Sequence, residues 1–90
     1  MNQWRFDITE SGIADLKKLN SQVKKRIEEK LRWFVENFNS ITPIALHEPL
    51  KGFFKFRVGD WRVIYDFERE KNLITIYVID GRDKVYKKLK

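Results

Sequence analysis

The chain has 90 residues, 42% of them hydrophobic and 14% aromatic, which is typical of one small folded domain rather than a disordered chain. The absence of cysteine excludes a disulfide framework and a thiolate metal site. The net charge is +6, and residues 51–90 carry +5 of it, so the C-terminal half is expected to face a polyanion. The apolar runs are far below membrane-spanning length, and we expect a cytoplasmic protein with no membrane contact.

The first predicted elements are a strand and two helices. Apolar and polar residues alternate in the opening MNQWRFDI, as in a half-buried strand. Thr9 is suited to cap a first helix that extends to about Leu19, with an apolar stripe of Ile13, Leu16 and Leu19. Asn20 is suited to cap a second helix, along which apolar residues recur at helical spacing: Val23, Ile27, Leu31, Phe34 and Phe38. The two helices are predicted to form a short αα-hairpin.

The second half of the chain is predicted to be mostly strands. Residues 39–52 contain both prolines and no clean period, so we interpret them as an ordered connector. The stretch FKFRVGDWRVIYDF alternates on either side of Gly59 and Asp60, which predicts two strands joined by a type II′ turn. A further turn at residues 70–72 precedes LITIYVI, which is apolar on both faces as in a central strand.

The predicted order β-α-α-β-β-β indicates an α+β fold. We expect a small antiparallel-rich sheet with the N-terminal helical hairpin packed on one face and a short C-terminal tail. No linker or repeat divides the sequence, so residues 1–90 are predicted to form a single domain.

The predicted hairpin places cations opposite each other. A two-residue turn pairs Arg57 with Arg62 and puts Lys55 on the same face. Like charges directly opposite each other destabilise a strand pair by about 0.2–1 kcal/mol, so this face is expected to meet an anion. Arg82 follows the last strand and Tyr86 lies in the tail; a basic surface edged by an aromatic ring suits single-stranded RNA. The alternative is a strand face whose charges simply extend into water.

Other kinds of site have little support in the sequence. His47 is the only histidine, and the carboxylates do not fall at ligand spacing, so no metal and no cofactor is predicted. His47 is interpreted as a locally hydrogen-bonded connector residue. The serines have no plausible base, and no glycine-rich phosphate-binding loop is present.

The run LKG–FFKFRVGDWRVIYDF–LITIYVIDGRDKVYK, with the helix pair before it, resembles the RelE/ParE superfamily of bacterial and archaeal toxins. The segments RVGDWRVIY and GR-x-x-VY together carry this resemblance, which covers essentially the whole chain. It implies a toxin of a type II toxin–antitoxin system, neutralised by a cognate antitoxin protein. In the RelE branch such a toxin binds the ribosomal A site and cuts mRNA. In the ParE branch it poisons DNA gyrase and lacks the nuclease residues.

The resemblance implies five catalytic positions, and all five are occupied: Lys55, Arg57, Arg62, Arg82 and Tyr86. This favours a ribosome-dependent endoribonuclease, an mRNA interferase that needs no metal and inhibits translation. Four nearby lysines are predicted to bind RNA: Lys51, Lys84, Lys87 and Lys88. The alternatives are a ParE-like gyrase inhibitor and a catalytically inactive RNA-binding member.

The chain departs from the family pattern at one position. Many relatives have histidine immediately before the last arginine, where this chain has Gly81. Arginine does not usefully exchange protons near neutrality, so Lys55 is the expected base. Arg62 and Arg82 are expected to stabilise the charge that develops on the phosphorane, while Tyr86 stacks on a base.

Overall fold

The structure is a computed structural model of the chain and describes residues 3–81. Its elements follow the predicted order with two additions, a 3-10 turn after the second helix and a two-residue strand in the connector. They are β1 Arg5–Ile8, α1 Glu10–Lys17, α2 Ser21–Glu36, a 3-10 turn Phe38–Ser40, β2 Ile44–Ala45, β3 Phe54–Val58, β4 Trp61–Glu68 and β5 Leu73–Gly81. Neither helix in this part of the chain has the length and hydropathy needed to cross a membrane.

The strands form one five-stranded sheet in the order β1-β5-β4-β3-β2. β1 runs parallel to β5, and the other neighbouring strands are antiparallel. Both helices pack their buried residues on one face of this sheet. The predicted α+β class, the mostly antiparallel sheet and the packing of the helical hairpin are therefore confirmed. β5 lies between β1 and β4, which explains why LITIYVI is apolar on both faces; the predicted C-terminal tail lies outside the described residues.

The connector holds a strand that the sequence does not reveal. In β2, Ile44 pairs with Lys55 and Ala45 pairs with Phe54, so the connector is tied to the outer edge of β3. Two residues are too few to display the period-two alternation by which strands are recognised. The sheet consequently has five strands where the sequence predicts four.

α1 approaches β5 closely because of a glycine and a buried carboxylate. A Cβ atom at Gly12 would lie 2.6 Å from Ile8 Cγ2 and 3.1 Å from the Ile76 carbonyl oxygen, so a larger residue there would push the helix away. One turn later, Asp15 Oδ2 accepts a hydrogen bond of 3.0 Å from the Ile79 backbone N–H. β1 pairs with β5 only as far as Ile76, so the Ile79 N–H lies beyond the end of β1. The Asp15 carboxylate accepts the hydrogen bond of this N–H instead.

This contact also explains why part of the predicted α1 stripe is wrong. The helix turns Gly12, Asp15 and Leu16 toward the sheet. Ile13 therefore lies on the flank and is 41% exposed, although the sequence places it among the buried residues. The helix ends at Lys17, slightly before the predicted end.

Both predicted N-caps are confirmed. Thr9 Oγ1 accepts a hydrogen bond of 3.1 Å from the Gly12 N–H, and Asn20 Oδ1 accepts one of 2.9 Å from the Val23 N–H. Each cap satisfies a backbone donor that has no partner within its helix. The two caps fix the starts of α1 and α2.

α2 is held on the β3–β4 hairpin by aromatic rings. The ring of Phe34 stacks on Phe56 at 4.1 Å between centroids with an interplanar angle of 13°. It also meets the edge of Tyr65 at 5.2 Å. Such ring pairs contribute about 0.5–1.5 kcal/mol beyond the burial of their area. With the hairpin's apolar side occupied by α2, its other side is free to face outward.

Candidate functional site

The β3–β4 hairpin has the predicted turn and the predicted register. Gly59 has a φ of +61°, while Asp60 has no positive φ, as a type II′ turn requires. Val58 pairs with Trp61 and Arg57 pairs with Arg62. The turn therefore determines which side chains meet across the two strands.

Lys55, Arg57 and Arg62 lie together on the side of the sheet opposite the helices; they are called the cationic face here. Arg57 is exposed, while Lys55 and Arg62 are half-buried. Hydrogen-bonded and non-hydrogen-bonded pairs alternate along antiparallel strands, and Arg57 and Arg62 form a non-hydrogen-bonded pair. Their Cα atoms are therefore roughly 4.5 Å apart, and their side chains are close neighbours. Lys55 lies two residues from Arg57, roughly 7 Å along the strand. The structure thus brings these three predicted residues together.

An acidic residue borders the cationic face on the central strand. Asp80 of β5 lies directly opposite Arg62, so Arg57, Arg62 and Asp80 form one row across three strands. The Asp80 Oδ1 atom accepts a hydrogen bond of 2.7 Å from the Gly81 N–H. The sequence alone does not place Asp80 here, because the register of β5 depends on an irregularity in that strand.

The irregularity is a β-bulge at Tyr77. Ile64 pairs with Val78 and the next residue, Tyr65, pairs with Ile76, so Tyr77 has no direct partner on β4. The extra residue shifts which side chains of β5 face each side of the sheet. As a result Ile79 belongs to the core beneath the helices, and Asp80 belongs to the row of the cationic face.

The bulged tyrosine is held by a carboxylate. The Tyr77 hydroxyl donates a hydrogen bond of 2.8 Å to Asp66 Oδ2. Burial, together with this hydrogen bond and the negative charges of Asp66 and Glu68, raises the pKa of Tyr77 to about 12. The hydrogen bond thus ties the bulged residue of β5 to Asp66 on the neighbouring strand β4.

The connector covers one end of this side of the sheet. Leu46 and Leu50 are buried against Ile64 and Val78 in a second, smaller core. Ile64 and Val78 lie in the same cross-strand row as Lys55. The connector thus packs over the apolar end of this side, and no element of residues 3–81 covers the end that holds Arg57 and Arg62.

The three cations of the cationic face have no carboxylate within ion-pair distance among residues 3–81. Arg57 Nη2 instead donates a long hydrogen bond of 3.5 Å to the Gly59 carbonyl oxygen. Arg26 of α2 also reaches this turn, since its Nη2 atom would lie 3.0 Å from a Cβ at Gly59. Arg26 was not predicted as a site residue, because a helix and a distant turn give no shared sequence pattern. Within the described part of the chain, none of the three cations is neutralised by an ion pair.

Of the remaining predicted site residues, the structure describes one, which lies outside this cluster. Lys51 is exposed in the turn that precedes β3. The others lie outside the described residues: Arg82, Lys84, Tyr86, Lys87 and Lys88. Their predicted roles therefore stay predictions.

Solved structures share this arrangement of helices and strands. RelBE2, a toxin–antitoxin complex from Mycobacterium tuberculosis, has a chain that matches with a TM-score of 0.80 and 22% identity, over 90% of this chain and all of that one. The isolated RelE toxin of E. coli matches with a TM-score of 0.71 and 20% identity, over 96% and 94% of the two chains. The archaeal RelE–RelB complex of Pyrococcus horikoshii matches with a TM-score of 0.68 and 20% identity, over 92% and 99%. The fold is therefore that of the RelE-like toxins.

The sequence itself identifies the family. The model of the ParE toxin of the type II toxin–antitoxin system parDE matches residues 6–86, so the chain belongs to this family. It is a type II toxin of the RelE/ParE superfamily. No curated protein sequence matches the chain.

Proposed function

We propose that this toxin is a ribosome-dependent endoribonuclease that cleaves mRNA in the cytoplasm and thereby stops translation. The observation that supports the proposal most directly is the cationic face, where Arg57 and Arg62 are paired across two strands and make no ion pair with a carboxylate of residues 3–81. An RNA phosphate can bridge two such guanidiniums through charge-assisted hydrogen bonds. Similarity to solved RelE toxins supports the same activity at the level of the fold.

The proposed reaction is attack by the 2′-hydroxyl group on the adjacent phosphorus. Lys55 accepts the hydroxyl proton, the P–O5′ bond breaks, and the products carry a 2′,3′-cyclic phosphate and a 5′-hydroxyl. Arg62 and Arg82 stabilise the negative charge that develops on the phosphorane. Arg57 holds a phosphate, and Tyr86 stacks on a base. The mechanism requires no metal, because the positive charge comes from the side chains.

The ribosome would position the mRNA for cleavage by the toxin. The cationic face can bind phosphate, but its three side chains do not by themselves align a 2′-hydroxyl with the phosphorus that it attacks. Binding of the codon in the A site would provide this alignment, which is worth several orders of magnitude in rate. Lys51, Lys84, Lys87 and Lys88 would add phosphate contacts, and free RNA is expected to be cut only weakly.

We propose that a cognate antitoxin neutralises the toxin by covering the cationic face. Several of the similar structures are complexes of a toxin with its antitoxin. An acidic or amphipathic segment would complement the +6 net charge of this chain and displace RNA from the same residues. It would bind as a helix in a groove or as an added strand.

The experiment is a cleavage assay on ribosomes programmed with a defined mRNA. The wild-type toxin is expected to cut the codon in the A site and to leave a cyclic phosphate end. A matched mRNA with a single 2′-deoxy substitution at the cut position is expected to remain intact, because the nucleophile is missing. Cleavage of the deoxy mRNA would contradict the mechanism. Salt-sensitive RNA binding without any strand scission would instead indicate an inactive RNA-binding member.

Inhibition of DNA gyrase is the second candidate function, and the match to the ParE family model favours it. In that case the cationic face would bind protein or DNA rather than mRNA. A purified toxin that traps gyrase–DNA cleavage complexes and spares programmed mRNA would establish this function. Cleaved mRNA with normal gyrase supercoiling would exclude it.

A further inference from the structure

A pocket of about 420 Å³ adjoins the cationic face at its Lys55 end. Its lining consists of the connector residues 44–50 together with Lys55. Lys55 lines the pocket and is paired across the sheet with Ile44 on β2 and with Ile64 on β4. The volume is within the range of small-molecule sites, roughly 300–1,000 Å³, and the pocket opens beside a candidate catalytic residue.

The lining of the pocket includes a histidine as well as that residue. His47, Glu48 and Lys55 are the ionisable side chains of the pocket, and the rest of its wall is mainly aliphatic. No sequence pattern connects these residues, because the connector has no period that would orient His47 relative to β3. The pairing of β2 with β3 is what brings the connector to Lys55.

The backbone that carries His47 is anchored on both sides. The Leu46 N–H donates to the Phe53 carbonyl at 2.9 Å, and the Leu50 N–H donates to the His47 carbonyl at 2.8 Å. The side chains of Leu46 and Leu50 are each 8% exposed and pack in the smaller core. The His47 side chain is exposed, so it is accessible to a substrate while its main chain is fixed.

The proposed RNA cleavage needs two proton transfers, and the cationic face offers only one residue for them. Lys55 takes the proton of the 2′-hydroxyl, and the arginines cannot donate a proton to the departing 5′-oxygen. Histidine side chains exchange protons near neutrality and are common general acids. Gly81 provides no such group at the end of β5.

We propose that His47 is the general acid of this reaction, a role that rests on the proposed nuclease function. As the 2′-oxygen bonds to phosphorus and the P–O5′ bond breaks, the imidazolium of His47 gives its proton to the 5′-oxygen. Lys55 gains the proton of the 2′-hydroxyl in the same step, and exchange with water restores both residues. The nucleoside on the leaving side lies in the pocket against the aliphatic wall beside His47.

The test compares two mRNAs on programmed ribosomes in single-turnover assays. One has an ordinary linkage at the cut position, and the other has sulfur in place of the bridging 5′-oxygen, because a thiolate leaves without protonation. His47→Ala and His47→Gln are expected to slow cleavage of the ordinary linkage by about 10²–10⁴. Both variants are expected to cut the sulfur linkage at nearly the wild-type rate. Lys25→Ala, which removes an exposed cation on α2, is expected to leave both rates unchanged.

Either of two results would overturn the role of His47 while leaving the nuclease function intact. The first is wild-type cleavage of the ordinary linkage by His47→Gln. The second is an equal loss on both linkages, which would indicate a structural contribution. A wild-type toxin that cuts neither mRNA would overturn the nuclease function itself, and this inference with it. Since the side chain is exposed, both variants are expected to unfold at the wild-type temperature.

Discussion

Arg57 and Arg62 lie directly opposite each other on β3 and β4, so two cations occupy adjacent positions on one face of the sheet. Their repulsion is a cost to stability of about 0.2–1 kcal/mol. In the wild type, we expect Arg57→Gln to raise the free energy of unfolding by about 0.2–1 kcal/mol, because it removes this repulsion. In an Arg62→Gln background, Arg57→Gln should leave the free energy of unfolding unchanged. Urea unfolding of the four proteins measures the coupling.

Lys25→Gln is the control for this cycle, since Lys25 is an exposed cation on α2. Its effect on the free energy of unfolding should not depend on the residue at position 62. A loss of stability in Arg57→Gln that persists in the Arg62→Gln background would contradict the repulsion. It would indicate that the two arginines contribute by packing their aliphatic stems.

The second prediction concerns the contribution to stability of the hydrogen bond from the Ile79 N–H to Asp15. Asp15→Ala leaves this buried donor without its acceptor, and we expect a loss of about 1–3 kcal/mol in the free energy of unfolding. Asp15→Asn retains a carbonyl oxygen and should lose clearly less. Hydrogen exchange of the Ile79 amide reports the same contact. We expect this amide to lose its protection in Asp15→Ala, and equal stability losses in the two variants would refute the acceptor role.

The hydroxyl group of Tyr65 has no hydrogen-bond partner among the described residues, although the side chain is fully buried. Burial also raises the pKa of Tyr65 to about 12. Tyr65→Phe keeps the ring contacts and removes an unpaired polar group, so we expect stability to rise by about 1 kcal/mol. Thermal or urea unfolding measures the change. A loss of more than 1 kcal/mol, as expected on deleting a satisfied hydroxyl, would contradict the buried unpaired state.

Alkaline pH should weaken the fold partly through Tyr77. The folded-state pKa is about 12 and the ordinary value is 10.0, so the unfolded chain loses this proton first. The contribution of Tyr77 is fully present below pH 10 and is lost as the pH rises toward 12. Tyr77→Phe should therefore show a shallower fall of stability with pH, by about one proton per molecule. Identical slopes for the two proteins between those values would contradict the raised pKa.

The sequence predicted the hairpin in detail because its register is a local property. A two-residue turn at Gly59 and Asp60 determines every pair that follows, so the meeting of Arg57 and Arg62 required no knowledge of the rest of the fold. The helix caps at Thr9 and Asn20 were predictable for the same reason. Each depends on contacts within three residues.

Features that depend on contacts distant in sequence could not be predicted. The carboxylate of Asp15 binds a backbone group 64 residues away, and the burial of Asp15 in place of Ile13 follows from that contact. The bulge at Tyr77 determines which side of the sheet Asp80 occupies. The pocket that His47 and Lys55 both line depends on β2, a strand too short to show a period.

The proposed role of the cationic face in mRNA cleavage is tested most directly by the single-turnover cleavage rate on programmed ribosomes at saturating toxin. Arg62→Ala removes a cation that is half-buried in the cationic face, and Lys25→Ala removes one that is exposed on α2. If the cationic face stabilises the reacting phosphate, Arg62→Ala should lower the cleavage rate by about 10²–10³, and Lys25→Ala should cleave at the wild-type rate. Wild-type cleavage by Arg62→Ala, or equal losses in both variants, would contradict it.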